Sequence, residues 1–201
     1  MAGKSSTNTT TNVDTSPVRE RILKAALQLF TNKGFHNVSV HDVQQQANVS
    51  IGSIYKHFGG KQGIAKELYY HLLREKEALI ESAIANHDSV KGRCTEIIRL
   101  LFEHTETDRE AMSFMLNSRH KEFLPDEPPI CNAAPFVLMR DIMKAGIDNG
   151  ELRSMDAWVA TAAVFGGAIR LIQLRLDGII DQPLISSLDD VLDAAWEGMK
   201  I

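Results

Sequence analysis

Residues 39–61, SVHDVQQQANVSIGSIYKHFGGK, decide how this chain is read. Two short amphipathic segments flank a tight polar turn, and the second ends in aromatic and basic side chains, which is the pattern of a helix-turn-helix DNA reader. Ser39 is placed to cap the first segment, its oxygen satisfying an orphan amide of the first turn. Val40, Val43 and Ala47 follow at helical spacing and give that segment one apolar face. Asn48 tolerates the left-handed backbone that a tight turn demands, and Ser50 is placed to cap a second helix over 51–58. On this helix Ile54 and Phe58 face inward, leaving Ser53, Tyr55, Lys56 and His57 outside.

The flanking residues extend the pattern. Arg21-Ile22-Leu23, Ala25-Ala26, Leu29-Phe30 and Gly34-Phe35, then Val49 through Phe58 and Lys61, resemble the first helix, glycine stop, recognition helix and fourth-helix start of the TetR family of bacterial transcription regulators. The matches run across residues 17–70. One departure is Asn48, where that family usually has glycine; another is the run Gln44-Gln45-Gln46, unusual on such a second helix. The resemblance implies that Ser39, Tyr55, His57 and Lys61 position the head on phosphates, and that Ser50, Ile51, Ser53 and Lys56 face base edges or their margin.

The chain's 201 residues hold one large or two small domains, and a 44% hydrophobic content suffices for a buried core. Its net charge of −4 hides an asymmetry. Residues 1–61 carry seven Lys or Arg against three acids, a charge of +4, so the remainder carries −8. The amino-terminal part suits a polyanion and the rest does not. Residues 1–16 are polar and nearly free of large apolar side chains, so they read as a flexible tail without a secretory signal. Cys94 and Cys131 stand far apart in no ligand-spaced motif, which favours two reduced thiols in a cytoplasm over a disulfide or a zinc site. The most apolar stretch, Trp158 to Ile169, is interrupted by Gly166-Gly167 and stops at Arg170; it reads as too short to span a bilayer, so no membrane partner is expected.

After Pro17 the chain reads as all-α, about nine helices: a three-helix DNA-binding head followed by a helical ligand-binding and dimerisation domain. The expected divisions are 17–77 for the head, with the helix-turn-helix at 39–58, and 78–201 for the second domain. Helices are expected over 18–33, 62–86, 89–105, 109–119, 133–149, 156–179 and 187–200 besides the pair above. Four prolines make 121–135 a loop, and Ser187 with Asp190 has capping-box spacing for the last helix. In the 156–179 segment Trp158, Ala162, Phe165, Ile169, Ile172 and Leu176 form one apolar face, and Ala160, Val164, Gly167, Leu171 and Leu174 another. A helix apolar on both sides must be covered on both. Val164, Gly167, Leu171 and Leu174, with Leu188, Val191, Leu192, Ala195 and Trp196 of the last helix, are therefore the candidate surface for a second copy, and they match in position the pair by which the resembling family dimerises.

No phosphate-cradling glycine loop, nucleophile elbow or zinc-binding histidine pair is visible, so neither catalysis nor a metal or other cofactor is expected. The second domain does carry an uneven supply of adaptable apolar side chains: Phe102, Met112, Phe114, Met115, Phe136, Met139, Met143, Trp158 and Phe165. Singly these are ordinary core fillers. As a set, with the resemblance, they imply a cavity for a flat or greasy effector, with His104, Arg119 and Arg170 the nearest polar candidates. The reading is a homodimeric repressor released from a palindromic DNA operator by a small apolar or aromatic effector. Two alternatives are a DNA-binding regulator without such an effector and a helical enzyme.

Overall fold

The computed structural model describes residues 16–200, so the expected tail lies outside the described residues except for Ser16. Ser16 belongs instead to the start of the first helix, α1 (Pro17–Lys33): its hydroxyl accepts from Arg19 N at 3.4 Å, and Pro17 occupies the first turn, where a missing N–H costs nothing. Gly34, at φ 78, ends α1. The helix-turn-helix follows as α2 (Val40–Ala47) and α3 (Ile51–Phe58). The long α4 (Lys61–Asn86) comes next, then α5 (Val90–Thr107), α6 (Arg109–Asn117) and the single turn α7 (His120–Phe123). The chain ends in α8 (Ala134–Asp148), α9 (Ala157–Leu176) and α10 (Leu188–Glu197). No strand occurs among the described residues.

Two hydrophobic cores share α4 as a common wall. Ile64, Leu68, Tyr69, Leu72 and Leu73 close the first core with Ile22, Phe30, Val43 and Ile54. About two turns further on, Ile80 and Ala83 enter the second with Ile97, Phe102, Met143, Phe165 and Ile172. The first core is not confined to α1–α4: Ala111 and Phe114 of α6, Phe123 of α7, and Leu124 and Ala133 of the following loop are part of it. The head is thus packed directly on the second domain.

Several boundaries differ from the sequence reading for local reasons. The 121–135 loop contains α7 and a 3₁₀ turn over Ile130–Asn132, and Pro135 sits inside the first turn of α8 rather than in the loop. Helix α9 stops at Leu176, because Gly178 takes φ 73 and the amides of Ile179 and Ile180 turn back onto the Leu174 carbonyl at 2.9 and 3.3 Å. Ser187 makes no cap. It ends a 3₁₀ turn at φ −102, ψ 5, a backbone from which its hydroxyl does not reach the amides of α10.

Helix α9 also corrects the facing of the sequence reading. Its inward stripe is Ala160, Val164, Phe165, Ala168 and Ile172, so Val164 belongs to the protomer's own core. Trp158, Val159, Ala162, Ala163, Gly166 and Gly167 are exposed, and a Cβ at either glycine would meet nothing within 4 Å. The helix is 20 residues long with a mean hydropathy of 1.5, long and apolar enough to cross a membrane by length and composition. The stretch read from the sequence, Trp158 to Ile169, is only part of this helix, and a single helix of this kind does not make a membrane protein. The inner half of α9 is ordinary core, packed against α5, α6, α8 and α10.

Candidate DNA-binding surface and effector cavity

The reading head is built from local caps. Asp42 N donates to Ser39 Oγ at 3.1 Å while Ser39 N donates to Asp42 Oδ2 at 2.7 Å, a reciprocal capping box at the start of α2. The Ser39 hydroxyl, donating to Asp42 Oδ2 at 2.6 Å, and then the Ser39 amide hold the Asp42 carboxyl below the ordinary carboxylate range. Asn48 occupies the left-handed region at φ 49, ψ 57 and gives its amide to the carbonyls of Gln44 and Gln45. The glutamine run serves this turn: Gln44 Nε2 donates to Val49 O at 2.9 Å, and Gln46 Nε2 reaches Gln28 Oε1 of α1 at 2.9 Å, while Gln45 is exposed. Ser50 Oγ accepts from Ser53 N at 3.2 Å and lies 2.8 Å from Ser53 Oγ, so both hydroxyls are engaged in the α3 cap.

With its caps closed, α3 presents Ile51 and Tyr55, 36% and 56% exposed, with Lys56 beside them. These project outward from an element pinned on three sides. Ile54 is fully buried beneath α3. The Arg19 guanidinium stands 5.4 Å over the Phe58 ring and pairs with Glu67 of α4 at 2.6 Å. Gly63 of α4 lies so close to the Phe58 carbonyl that a Cβ would come within 1.8 Å of its oxygen. Sequence reasoning passed over Gly63, since a glycine two residues into a helix looks like the tail of the Gly59-Gly60 turn.

Lys61, expected at the phosphates, also has a partner within the protein. Its ammonium donates to Phe35 O at 2.9 Å and lies 4.2 Å over the Phe35 ring, and burial lowers its pKa. It fastens the start of α4 to the 3₁₀ turn Phe35–Asn37 that follows α1 and has two N–H donors left over. His57 is half-buried on α3.

The structure brings together part of the expected effector set. Met112, Met115, Phe136 and Met139 line a narrow apolar cavity with Ile80, Leu101 and Ile172. Phe102, Met143 and Phe165 are buried in the second core without lining that cavity. Met143 instead meets Cys94, whose Sγ lies 3.7 Å from its Sδ and whose thiol is pushed up to about 12 by burial, an inert group. Phe114 faces the other way: its ring stacks 6.5 Å from Phe30 and sits edge-on to His120 at 5.2 Å, in the head's core. Trp158 is 52% exposed at the start of α9, its ring under the Arg140 guanidinium at 4.1 Å. Its side chain lies on the open face of that helix, away from the cavity. Of the polar candidates, Arg119 and Arg170 are exposed and only His104 approaches the cavity, through Lys76.

The cavity measures about 30 Å³, room for about one water and far below the roughly 300–1,000 Å³ of occupied ligand sites. A ligand therefore enters only if thioethers and rings repack. A larger hollow of about 640 Å³ lies between the end of α1 and the α5–α6 junction, but it is open and lined by Glu106, Asp108 and Glu110, unsuited to either an apolar ligand or DNA. Sequence reasoning missed Lys76, which lines the apolar cavity and is 3% exposed. The signal was present: Lys76 falls on the stripe of Leu72, Leu73, Ile80 and Ala83, where an apolar residue is due.

Residues 22–68 match the family model for "Bacterial regulatory proteins, tetR family", and residues 69–201 match that for "Tetracyclin repressor-like, C-terminal domain". The HTH-type transcriptional regulator YdgC of Bacillus subtilis, itself uncharacterized, is 28% identical over 114 residues, 54% of this chain and 58% of that protein. Matches to such curated relatives span from 31% to 64% of their length. Among solved structures, the fatty acid degradation regulator FadR from Bacillus halodurans superimposes with a TM-score of 0.80 at 18% identity, covering 91% of this chain and 96% of that one. FadR from Bacillus subtilis in complex with stearoyl-CoA gives 0.79 at 21% identity, covering 89% and 98%. At these identities the likeness is one of fold. The two family models together account for the head and the second domain alike, and the chain belongs to the TetR family of bacterial transcription regulators, not to a family of enzymes.

Proposed function

We propose that this chain is a ligand-responsive repressor, acting in the cytoplasm as a homodimer on a palindromic operator and released from it by an apolar effector. The observation that carries the reading is the placement of two consecutive residues on α6. Phe114 packs into the head against Phe30, and Met115, itself part of the head's core, also lines the cavity. Thr31 Oγ1 of α1 also donates to the Glu110 carbonyl of α6 at 3.3 Å. A ligand that wedges Met112 and Met115 aside moves α6, and α6 cannot move without shifting α1 and with it the reading helix. Ligand and operator then prefer different states and oppose each other by linkage.

In this reading Tyr55, Lys56 and Ile51 reach the groove. Lys61 and His57 face the phosphates, and Ser39, Ser50 and Ser53 hold the helix ends whose amides approach the backbone. The second copy covers the exposed small-residue face of α9, Val159, Ala162, Ala163, Gly166 and Gly167, together with Leu188, Val191, Ala195 and Trp196 of α10, but not the expected Leu192, which is buried in the protomer's own core. Leu171 and Leu174, half-buried, border it. The stearoyl-CoA complex of the B. subtilis FadR supports a long apolar ligand for a cavity of this kind. The test is selection of bound fragments from the source genome, followed by titration of the retained operator with apolar metabolites. Retention of no fragment refutes the repressor reading; retention with no metabolite releasing it leaves a regulator without a small-molecule effector.

A further inference from the structure

Lys76 is the only buried Lys or Arg among the described residues. Its ammonium reaches His104 Nδ1 at 2.6 Å, and no carboxylate pairs with it among the described residues; Glu75 and Asp108 are near enough to influence its charge but not to neutralise it. Burial pushes the Lys76 ammonium down. Burial and the Lys76 charge push His104 down as well, which favours the neutral ring as the partner of the ammonium at Nδ1. A buried ammonium whose partner is one neutral nitrogen is an incompletely compensated charge, and folded proteins pair such groups. The cavity surface is apolar throughout: Lys76 borders it with its aliphatic stem, its ammonium held just behind against His104, and all the other lining side chains are thioether, aromatic or aliphatic.

We propose that the effector is an amphiphilic acid whose apolar body lodges among Met112, Met115, Phe136 and Met139 and whose carboxylate pairs with the Lys76 ammonium. This rests on the reading of the cavity as an effector site and narrows it to a chemical class. Methionine side chains repack at little cost, so the cavity opens around an aliphatic or flat body while the charge at Lys76 selects the head group. A free acid satisfies that charge. An alcohol or an acyl thioester of the same length brings only a neutral oxygen to it.

The experiment is calorimetric titration of the full-length protein with saturated fatty acids from octanoate to octadecanoate, the matching alcohols, and dodecanoyl-CoA. The acid of the preferred length binds on the order of 10- to 100-fold more tightly than its alcohol. Lys76→Met removes that difference while alcohol binding holds or strengthens, a pattern that a merely structural lysine does not produce. Should the methionine variant fail to fold, Lys76→Gln, which keeps a donor for His104 without the charge, makes the same comparison. Equal binding of acid and alcohol to the wild type, an undiminished acid preference in the variant, or tighter binding of dodecanoyl-CoA than of dodecanoate overturns the pairing and leaves the cavity reading standing. Binding of no member of either series overturns the cavity reading and this inference with it.

Discussion

Asn48, Lys61 and Gly63 show what single residues do to aim the reading helix. Asn48 holds φ 49 without the penalty other side chains meet there, so Asn48→Gly leaves thermal stability near wild type, whereas Asn48→Ala lowers it by about 1 kcal/mol. Gly63→Ala puts a methyl group where the Phe58 carbonyl stands, and overpacking against backbone costs about 1–3 kcal/mol. Denaturant unfolding measures both, and DNA affinity falls further for Gly63→Ala than lost stability explains, because α3 must tilt. Lys56→Ala costs roughly 1–3 kcal/mol on the operator while leaving random DNA nearly unchanged, if Lys56 reads bases; equal losses on both removes that role. The caps at Ser39 and Ser50 and the turn at Asn48 were legible in sequence because each partner lies within a few residues. Lys61 was not, because its partner, the Phe35 carbonyl, is 26 residues away and only folding brings them together.

At the scale of elements, α4 and α6 join the two cores, and the proline-rich loop between α7 and α8 is clasped onto α4. The clasp is Glu127: its carboxylate pairs with Lys66 at 2.6 Å and accepts from the Tyr70 hydroxyl, contacts that hold its pKa below the ordinary glutamate range. Because the folded value is the lower one, the clasp stabilises fully above the unfolded glutamate pKa of about 4.3 and is lost as pH falls through the folded value. Stability measured from pH 7 downward should therefore drop in that acid window, and Glu127→Gln should flatten the drop. Phe114→Ala costs about 3–5 kcal/mol and weakens DNA binding even without effector, since its ring belongs to the head's core. Met139→Ala, on the opposite wall of the cavity, changes the effector concentration needed for release and spares effector-free DNA affinity. An operator titration of both variants, with and without effector, separates the two roles. The sequence pattern showed that these side chains were buried but not which core each entered: adjacent positions on α6 point about 100° apart, and the head's claim on one side of that helix is a tertiary fact.

For the whole molecule the account requires two heads held by one interface. The open face of α9 is small and apolar, and the space above Gly167 is empty in the protomer, so Gly167→Leu leaves the protomer fold and helicity intact while dissociating the dimer in sedimentation. Retention of a full-strength dimer by that variant places the interface elsewhere. Periodicity showed a helix apolar on two sides; it did not show which side faced inward, because both stripes mix large and small residues, and Val164 and Trp158 exchanged their expected places. The central claim is that this chain is a dimeric, sequence-reading DNA-binding regulator, and the most direct test is the affinity of the full-length protein for its selected genomic fragment and for random duplex across a salt series. The account predicts two protomers on a palindrome whose half-sites lie about 34–36 Å or a multiple apart. It predicts affinity that falls steeply with salt and exceeds random-duplex affinity by on the order of a thousandfold or more. Equal affinity for the selected and random duplexes, or binding to neither, would contradict it.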